Sequence, residues 1–308
     1  TFGCHVRKLG LFRSDLGMLT CSAQENNELF SATIGGLGLT GIIVWVEVEL
    51  TPINSNQVDQ LSVKFGDLAE FFDVSEQYDN QHEYSVSWID CVARGEALGR
   101  GIYMAGDHSE SGELKQFRNS EIQMPFDPPF SLVNKLTLNA FNQVYFHRHF
   151  RQTSRTRESI PSFFFPLDKI KQWNRLYGRK GFQQYQCAMP SENAKEVFKE
   201  VLGMIAASGN GSFLAVIKRF GNHRSPGLLS FPIPGVTLAL DFPQREPENS
   251  KLFARLDSLV HEAAGRLYPA KDAHMMANHF RQAYPHWERV EALRDPKLMS
   301  AFWKRVTG

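Results

Sequence analysis

The chain has 308 residues, enough for one large domain or two modest ones with an apolar core. Its 34 Lys and Arg residues nearly balance 33 Asp and Glu, so there is no broad cationic surface for nucleic acid. Cys4, Cys21, Cys91 and Cys187 form no close pair, which predicts packed thiols rather than a zinc site or a disulfide framework. We therefore expect neither a metal site nor a nucleic-acid partner.

The first fifty residues predict a hairpin, a helix and a strand. Apolar residues at Leu9–Leu19 flank a Ser14–Gly17 turn. Ser22 and Glu25 have the spacing of a capping box, which predicts that a helix begins there, and Gly35-Gly36 would end it. Residues 42–50 alternate as a strand does.

Beyond Pro52, strands and amphipathic helices alternate without any internal repeat. This pattern predicts an α+β fold in which helices flank an antiparallel sheet. The stretch Glu121–Ser159 shows no clean period and is interpreted as long loops, whereas LDKIKQWNRLYG (residues 167–178) is interpreted as a helix. Other predicted elements are helices at 67–78, 191–208 and 250–265 and strands at 84–93, 182–190, 213–221 and 235–243.

Gly36, Gly38 and Gly41 satisfy the GxGxxG dinucleotide fingerprint. That fingerprint requires a strand before the glycines and a helix after them, because the helix N-terminus holds the pyrophosphate. Here the predicted order is reversed, which argues against a nicotinamide site. Two interpretations stay open: close packing in a tight turn, or bare backbone that approaches a flat cofactor.

Several strings resemble the vanillyl-alcohol-oxidase superfamily of FAD-linked oxidases. They are TFGCHVRKL, ELFSAT followed by GGLGLTGII, YSVSWIDCVARG, FFFPLDKIKQWNRLYGRKGFQQYQCAMP, LSFPIPGVTLALDFP and GRLYPAKDAH. The last two strings favour the branch that oxidises lipid-linked ribose. The resemblance implies the second half of a PCMH-type FAD-binding domain at residues 1–55, a substrate domain at 56–265 and a return segment at 266–308. It also implies that the family's N-terminal lobe, which holds the pyrophosphate, is absent here.

The resemblance implies an oxidoreductase that uses FAD to convert a secondary hydroxyl of a pentose to a ketone. The pentose would be carried on a lipid phosphate, and the resemblance also suggests a partner reductase. With no apolar run of the roughly 18 residues that span a bilayer, we expect a cytoplasmic protein or one with peripheral contact at the inner membrane. The alternatives are an aldonolactone-type oxidase and a catalytically silent substrate-binding fragment without FAD.

The same resemblance assigns residues to the cofactor. Lys271 would place an ammonium near the flavin pyrimidine, although an ion pair with Asp272 is the simpler interpretation. Tyr268 is the second expected flavin contact in that segment, with core packing as its alternative. The remaining expected contacts come from the glycine-rich turn and the strand after it: Gly36, Gly38, Gly41 and Ile43. The fold would therefore have to make the segment 36–43 a neighbour of 268–271.

A second set of residues is assigned to the substrate. Gln184 and Gln186 share one face of a predicted strand, and such amides need partners, either in a polyhydroxylated sugar or within the protein. Gln186 is also our second candidate for catalysis. Lys218 would meet the substrate phosphate, unless it extends from a strand edge into solvent. Phe164 and Ala239 align with a tyrosine and a cysteine of the family's pocket, so they change its polarity.

Overall fold

A computed structural model describes residues 1–112, 114, 122–124, 126–271 and 274–308. None of the helices in these ranges has the length and apolar character that crossing a membrane requires. Cys21, Cys91 and Cys187 are buried free thiols, as predicted, whereas Cys4 is exposed and the expectation of packing is wrong for it.

The first fifty residues form a small antiparallel sheet with one helix against it. Its strands are β1 (Val6–Arg13), β2 (Gly17–Ser22) and β3 (Ile42–Val48), in the spatial order β2-β1-β3, and the helix is α1 (Asn27–Thr33). Leu9, Leu11, Cys21 and Phe30 form the core between sheet and helix. The predicted hairpin is confirmed, and a helix does precede the glycines while a strand follows them.

The predicted start of α1 is wrong. Ser22 ends strand β2, and its hydroxyl accepts hydrogen bonds from the backbone N–H groups of Gln24 and Glu25 within a local turn. The N-cap is Asn26, which has a left-handed conformation. Serine side chains stabilise such turns as readily as helix starts, so the spacing alone could not distinguish the two.

The rest of the chain builds an eight-stranded sheet in which every neighbouring pair is antiparallel. The strands that follow β3 are β4 (Gln57–Phe65), β5 (Tyr84–Ile89), β6 (Gly101–His108), β7 (Ile122–Gln123), β8 (Thr153–Ser159), β9 (Ile170–Lys171), β10 (Phe182–Pro190), β11 (Val216–Phe220), β12 (Gly235–Pro243) and β13 (Arg266–Leu267). The spatial order in the large sheet is β13-β10-β12-β11-β5-β6-β4-β8, and β7 and β9 pair separately.

Helices cover one face of this sheet, as the α+β prediction requires. The remaining helices are α2 (Leu68–Tyr78), α3 (Lys135–His147), α4 (Ile160–Phe164), α5 (Ser191–Ser208), α6 (Glu248–Glu262), α7 (Ala277–Ala283), α8 (Trp287–Ala292) and α9 (Ala301–Thr307). Helices α5 and α6 pack on β10, α5 also packs on β12, and α2 packs on β4 and β6. The buried side chains on this face of β10 and β12 include Tyr185, Cys187, Leu238 and Leu240. Because side chains alternate along a strand, the residues between these point to the opposite face.

Two predictions for the middle of the chain are wrong. Within Glu121–Ser159, residues 135–147 form α3 and 153–159 form β8, which pairs with β4; residues 121 and 125 lie outside the described residues. Asn134 caps α3 by accepting from the N–H groups of Leu136 and Thr137. Residues 167–178 form two 3₁₀ turns around β9 instead of one helix, and left-handed Gln172 interrupts them.

The C-terminal segment returns to the first fifty residues. The Ser14 N–H and hydroxyl each donate to the Asp295 carboxylate at 2.6 Å, and the Asp295 N–H donates to the Leu39 carbonyl. The Arg13 guanidinium donates to the Leu293 carbonyl at 2.6 Å. These contacts fit a return segment, while the three domain boundaries themselves remain predictions.

Candidate functional site

The sheet face that α2, α5 and α6 leave uncovered carries most of the predicted substrate residues. In the register of β10 and β12, Gln184 lies opposite Asp241 and Gln186 lies opposite Ala239, while Lys218 of β11 lies opposite Thr237. Directly opposed residues share a face and lie about 5 Å apart. The fold therefore brings Gln184, Gln186, Lys218 and Ala239 together, as their alternation in the sequence predicted.

A chain of hydrogen bonds joins Lys271 to this face. The Lys271 ammonium donates to Gln184 Oε1 at 2.8 Å, and Gln184 Nε2 donates to Asp241 Oδ1 at 2.8 Å. Lys271 ends a short 3₁₀ turn that follows β13, the strand beside β10. Its predicted alternative partner, Asp272, lies outside the described residues.

Gln186 makes a similar hydrogen bond to a neutral partner. Its Nε2 donates to the Thr237 hydroxyl at 3.3 Å, and that hydroxyl donates to the Cys187 carbonyl at 2.8 Å. Both glutamines thus have a partner inside the protein, which is the simpler of the two interpretations the sequence left open. These two hydrogen bonds do not involve Gln186 Oε1, which can therefore serve as an acceptor.

The electrostatics of the face are those of a partly buried cationic site. Burial lowers the pKa of Lys218, and the positive charge of Lys271 lowers it further. Burial raises the pKa of Asp241, while the hydrogen bond from Gln184 and the charge of Lys271 act in the opposite direction. Because β11 lies between β12 and β5, the alternative interpretation that Lys218 extends from an edge strand does not fit the fold.

Phe164 lies at the other side of the same sheet face. It belongs to α4 and packs edge-on against Tyr84 of β5, with ring centroids 4.8 Å apart, and near His108 of β6 at 6.3 Å. Three strand spacings of about 4.8 Å separate β5 from β10, which carries Gln184. Whether Phe164 and Gln184 line one concavity stays a prediction.

A cavity of about 490 Å³ lies between the small sheet and the large one. Gly35 and Leu37 line it from the turn after α1, and Tyr268 and Ala270 line it from the segment that carries Lys271. The predicted proximity of these distant segments is confirmed for this part of the turn. Most of the remaining lining residues lie in the strings that suggested the family, and Ile34 and Ser225 lie just outside them: Thr1, Phe2, Gly3, Val6, Ile34, Ser225, Leu229, Ser230, Phe231, Pro232 and Pro269.

The lining of this cavity suits a flat ring better than a diphosphate. The Tyr268 ring stacks on Phe231, with centroids 4.6 Å apart and planes at 22°. Gly35 has a positive φ, and a Cβ there would meet the Ser230 hydroxyl at 3.2 Å. Among the lining residues there is no Lys or Arg side chain to balance a phosphate charge. The lining therefore offers mainly apolar and aromatic surface, and a diphosphate would need groups from elsewhere.

Packing explains two of the three fingerprint glycines. A Cβ on Gly36 would lie 1.9 Å from the Ala32 carbonyl oxygen, and one on Gly41 would lie 2.7 Å from the Phe12 carbonyl oxygen. Gly38 has a φ of +73° with no described atom within 4 Å of an added Cβ, so conformation rather than space requires glycine there. Cofactor contacts of Gly36, Gly38, Gly41 and Ile43 stay predictions.

Strand β3 exposes apolar side chains on both of its faces. Its first five residues, Ile42 to Val46, have between 40% and 59% of their surface exposed. The strand lies at the edge of its sheet, so one row of its backbone groups is also unpaired within the described residues. An exposed apolar edge strand of this kind is typical of a surface that contacts further polypeptide, a ligand or a membrane.

Sequence reasoning missed Asp241 and Thr237, which orient the two glutamines. Both lie in the string GVTLALDFP, in register with Ala239, so their position on the same face was predictable. A buried carboxylate in an apolar strand is a signal of its own, because such groups need partners. In the described part of the chain, no group of three or more His, Cys, Asp or Glu could hold a metal ion.

Comparison with known proteins adds a relative that spans most of the chain. A protein of Mycolicibacterium smegmatis named decaprenylphosphoryl-beta-D-ribose oxidase is 33% identical over 96% of this chain. This chain resembles a decaprenylphosphoryl-ribose oxidase. The match covers 66% of the mycobacterial protein, so the chain spans slightly less than two thirds of that relative's length.

A second relative is described by its place in a genome. An uncharacterized protein in the mprA 5′ region of Streptomyces coelicolor is 29% identical over 86% of this chain and 76% of its own length. No protein-family model matches the sequence.

Proposed function

We propose that this chain is the substrate-binding and cofactor-closing part of an FAD-dependent oxidoreductase that oxidises a secondary hydroxyl of a lipid-phosphate-linked pentose. The observation that carries the proposal is the single cavity onto which four distant segments converge, residues 1–6, 34–37, 225–232 and 268–270. Each of these segments overlaps or adjoins a string that resembles FAD-linked oxidases. The name of the mycobacterial relative supports ribose as the sugar.

The flavin, when bound, would accept a hydride from the substrate carbon at its N5 atom, and the proton of the oxidised hydroxyl would pass to water. The protein's contribution is placement and electrostatics. Tyr268 and the turn at Gly35 would contact the ring, and Lys271, next to the cavity in sequence, would place a positive charge at its edge. A fixed ammonium favours the state in which the ring has gained negative charge.

The open sheet face would bind the substrate beside that ring. The Gln186 amide oxygen can accept a hydrogen bond from a sugar hydroxyl, because Nε2 is already bonded to Thr237. Lys218 is half-buried and close enough to Lys271 for their charges to interact, so the two cations would favour an anionic group such as a phosphodiester. Ala239 and Phe164 add apolar surface to the same face.

The exposed strand β3 supports the idea that the whole enzyme includes further polypeptide. Part of the mycobacterial relative has no counterpart in this chain. We infer that the corresponding region covers β3 and supplies the groups that bind the diphosphate, which the cavity lining lacks.

The test is product formation by the whole protein. Here the whole protein means this chain joined to the region that corresponds to the unmatched part of the mycobacterial relative. With FAD and an electron acceptor, a polyprenylphosphoryl ribose should lose two hydrogen atoms, seen by mass spectrometry. An aldonolactone serves as the second substrate. Oxidation of the lactone alone would assign the alternative activity, and oxidation of neither, with FAD bound, would refute the proposed reaction.

A further inference from the structure

Asp241 is a buried carboxylate on the same sheet face as Gln184 and Gln186. It lies in β12 opposite Gln184, and the residue is only 7% exposed. Its backbone N–H donates to the Ser212 hydroxyl at 3.2 Å, which ties this part of the strand to the loop before β11. Burying a carboxylate destabilises the fold unless the carboxylate accepts hydrogen bonds. The hydrogen bond from Gln184 therefore stabilises Asp241 in its buried position.

The Gln184 amide, which links Asp241 to Lys271 through two hydrogen bonds, can have only one orientation. An ammonium group only donates hydrogen bonds and an ionised carboxylate only accepts them. A primary amide between the two must therefore direct its NH₂ group to the carboxylate and its oxygen to the ammonium. The two 2.8 Å bonds of Gln184 show this orientation.

We propose that Asp241 is a positioning residue for Lys271, acting through the amide of Gln184. This inference rests on the proposed function, because Lys271 is the cation assigned to the flavin edge. Gln184 then serves chiefly to hold the lysine and leaves recognition of the sugar to Gln186. Removing the Asp241 charge would let the amide rotate, and the rotated NH₂ group would face the ammonium with a second donor.

The neighbouring glutamine provides an internal comparison. Gln186 bonds to the neutral hydroxyl of Thr237 rather than to a carboxylate, and its hydrogen bond is longer, 3.3 Å against 2.8 Å. Charge-assisted hydrogen bonds are the shorter and stronger kind. Strand β12 thus has a charged residue, Asp241, and a neutral one, Thr237, on the same face, and each bonds to one glutamine. Of these two glutamines, the one bonded to Asp241 also accepts a hydrogen bond from Lys271.

The first experiment needs no cofactor and uses the chain itself. The rate at which an N-hydroxysuccinimidyl acetate acetylates Lys271 would be measured by mass spectrometry in the parent and in Asp241→Asn, Gln184→Met and the double variant. Losing a hydrogen bond to the ammonium should raise the rate by roughly tenfold. If Asp241 acts through Gln184, the double variant should react no faster than Gln184→Met alone.

Glu246→Gln is the matched control. Glu246 accepts a hydrogen bond from Gln183, the adjacent residue in β10, and neither belongs to the proposed site. The control should leave the acetylation of Lys271 unchanged. The inference would be overturned if Lys271 were acetylated in Gln184→Met at the same rate as in the parent. It would also be overturned if the two substitutions raised the acetylation rate additively in the double variant. Because Gln184→Met keeps the buried carboxylate, it also tests the bridge if Asp241→Asn does not fold.

The second experiment uses the whole protein with FAD. Asp241→Asn should slow reduction of the flavin by the polyprenylphosphoryl ribose while the substrate concentration for half-maximal rate changes little, whereas a merely structural defect would alter both. An unchanged reduction rate would overturn the positioning role. If the protein binds no flavin, the proposed function fails, and the acetylation rates still decide whether Asp241 orients Lys271.

Discussion

Replacing Lys271 by Met removes the charge at the proposed flavin edge while keeping a side chain of similar length. The ammonium is fixed by a 2.8 Å bond to Gln184, so little reorganisation is needed when the ring becomes negative. Loss of one such preorganised donor typically slows the chemical step by about a hundredfold to a thousandfold. We expect a loss of this size in the rate of flavin reduction for Lys271→Met.

The assay is stopped-flow bleaching of the flavin in the whole protein as the substrate concentration is varied. The limiting rate should fall much more than the apparent affinity, because the charge is most valuable when the reduced ring is anionic. Lys251→Met, an exposed substitution on α6, is the control. An unchanged limiting rate in Lys271→Met would remove Lys271 from the mechanism.

The same substitution has a consequence that can be measured without a cofactor. Burial lowers the pKa of Lys218, and the charge of Lys271 lowers it further. Lys271→Met should therefore raise the pKa of Lys218 part of the way to its ordinary value, since the effect of burial remains. Titration of the lysine ¹³Cε signals by NMR would show this, and an unchanged Lys218 signal would mean that the two ammonium groups do not interact.

Two further predictions concern stability. Gly36→Ala should lower the unfolding free energy by about 3 kcal/mol or more, because its Cβ would overlap the Ala32 carbonyl; Gly38→Ala should cost only the roughly 1 to 2 kcal/mol of a left-handed residue. The unfolding free energies would be measured by urea denaturation, and a smaller loss for Gly36→Ala than for Gly38→Ala would contradict the packing explanation. Hydrogen bonds from Ser14 lower the pKa of Asp295 to about 2, below its unfolded value. The wild-type advantage over Asp295→Asn should be complete above about pH 5 and disappear as the pH falls from about 4 to 2; an advantage independent of pH would contradict the ionic origin.

Strong local periodicity made much of the fold predictable. Helix α5 and strand β10 have the predicted bounds, because the period of each segment matches the face that it buries. Helix α3 was missed because it buries little, mainly Leu138 and Asn142, and exposes apolar residues such as Leu136 and Val144, which obscures its period.

The site was only half predictable for a related reason. Alternation along β10 placed Gln184 and Gln186 on one face, and this depends on neighbouring residues alone. The partners that orient them depend on the register of β10 with β12, which pairs Gln184 with a residue 57 positions away. Nothing in the local pattern specifies that register, so Asp241 became visible only in the fold.

The most direct test of the account is FAD binding by the chain with and without the region that the alignment to the mycobacterial relative leaves unmatched. The cavity here would contact only the ring, and the diphosphate would lose several charge-assisted hydrogen bonds of roughly 1.5 to 3 kcal/mol each. Three such bonds correspond to at least about a thousandfold in affinity. Equilibrium dialysis should therefore show weak FAD binding by the chain alone and tight binding once the region is added. Tight binding by the chain alone, or no binding by either, would contradict the account.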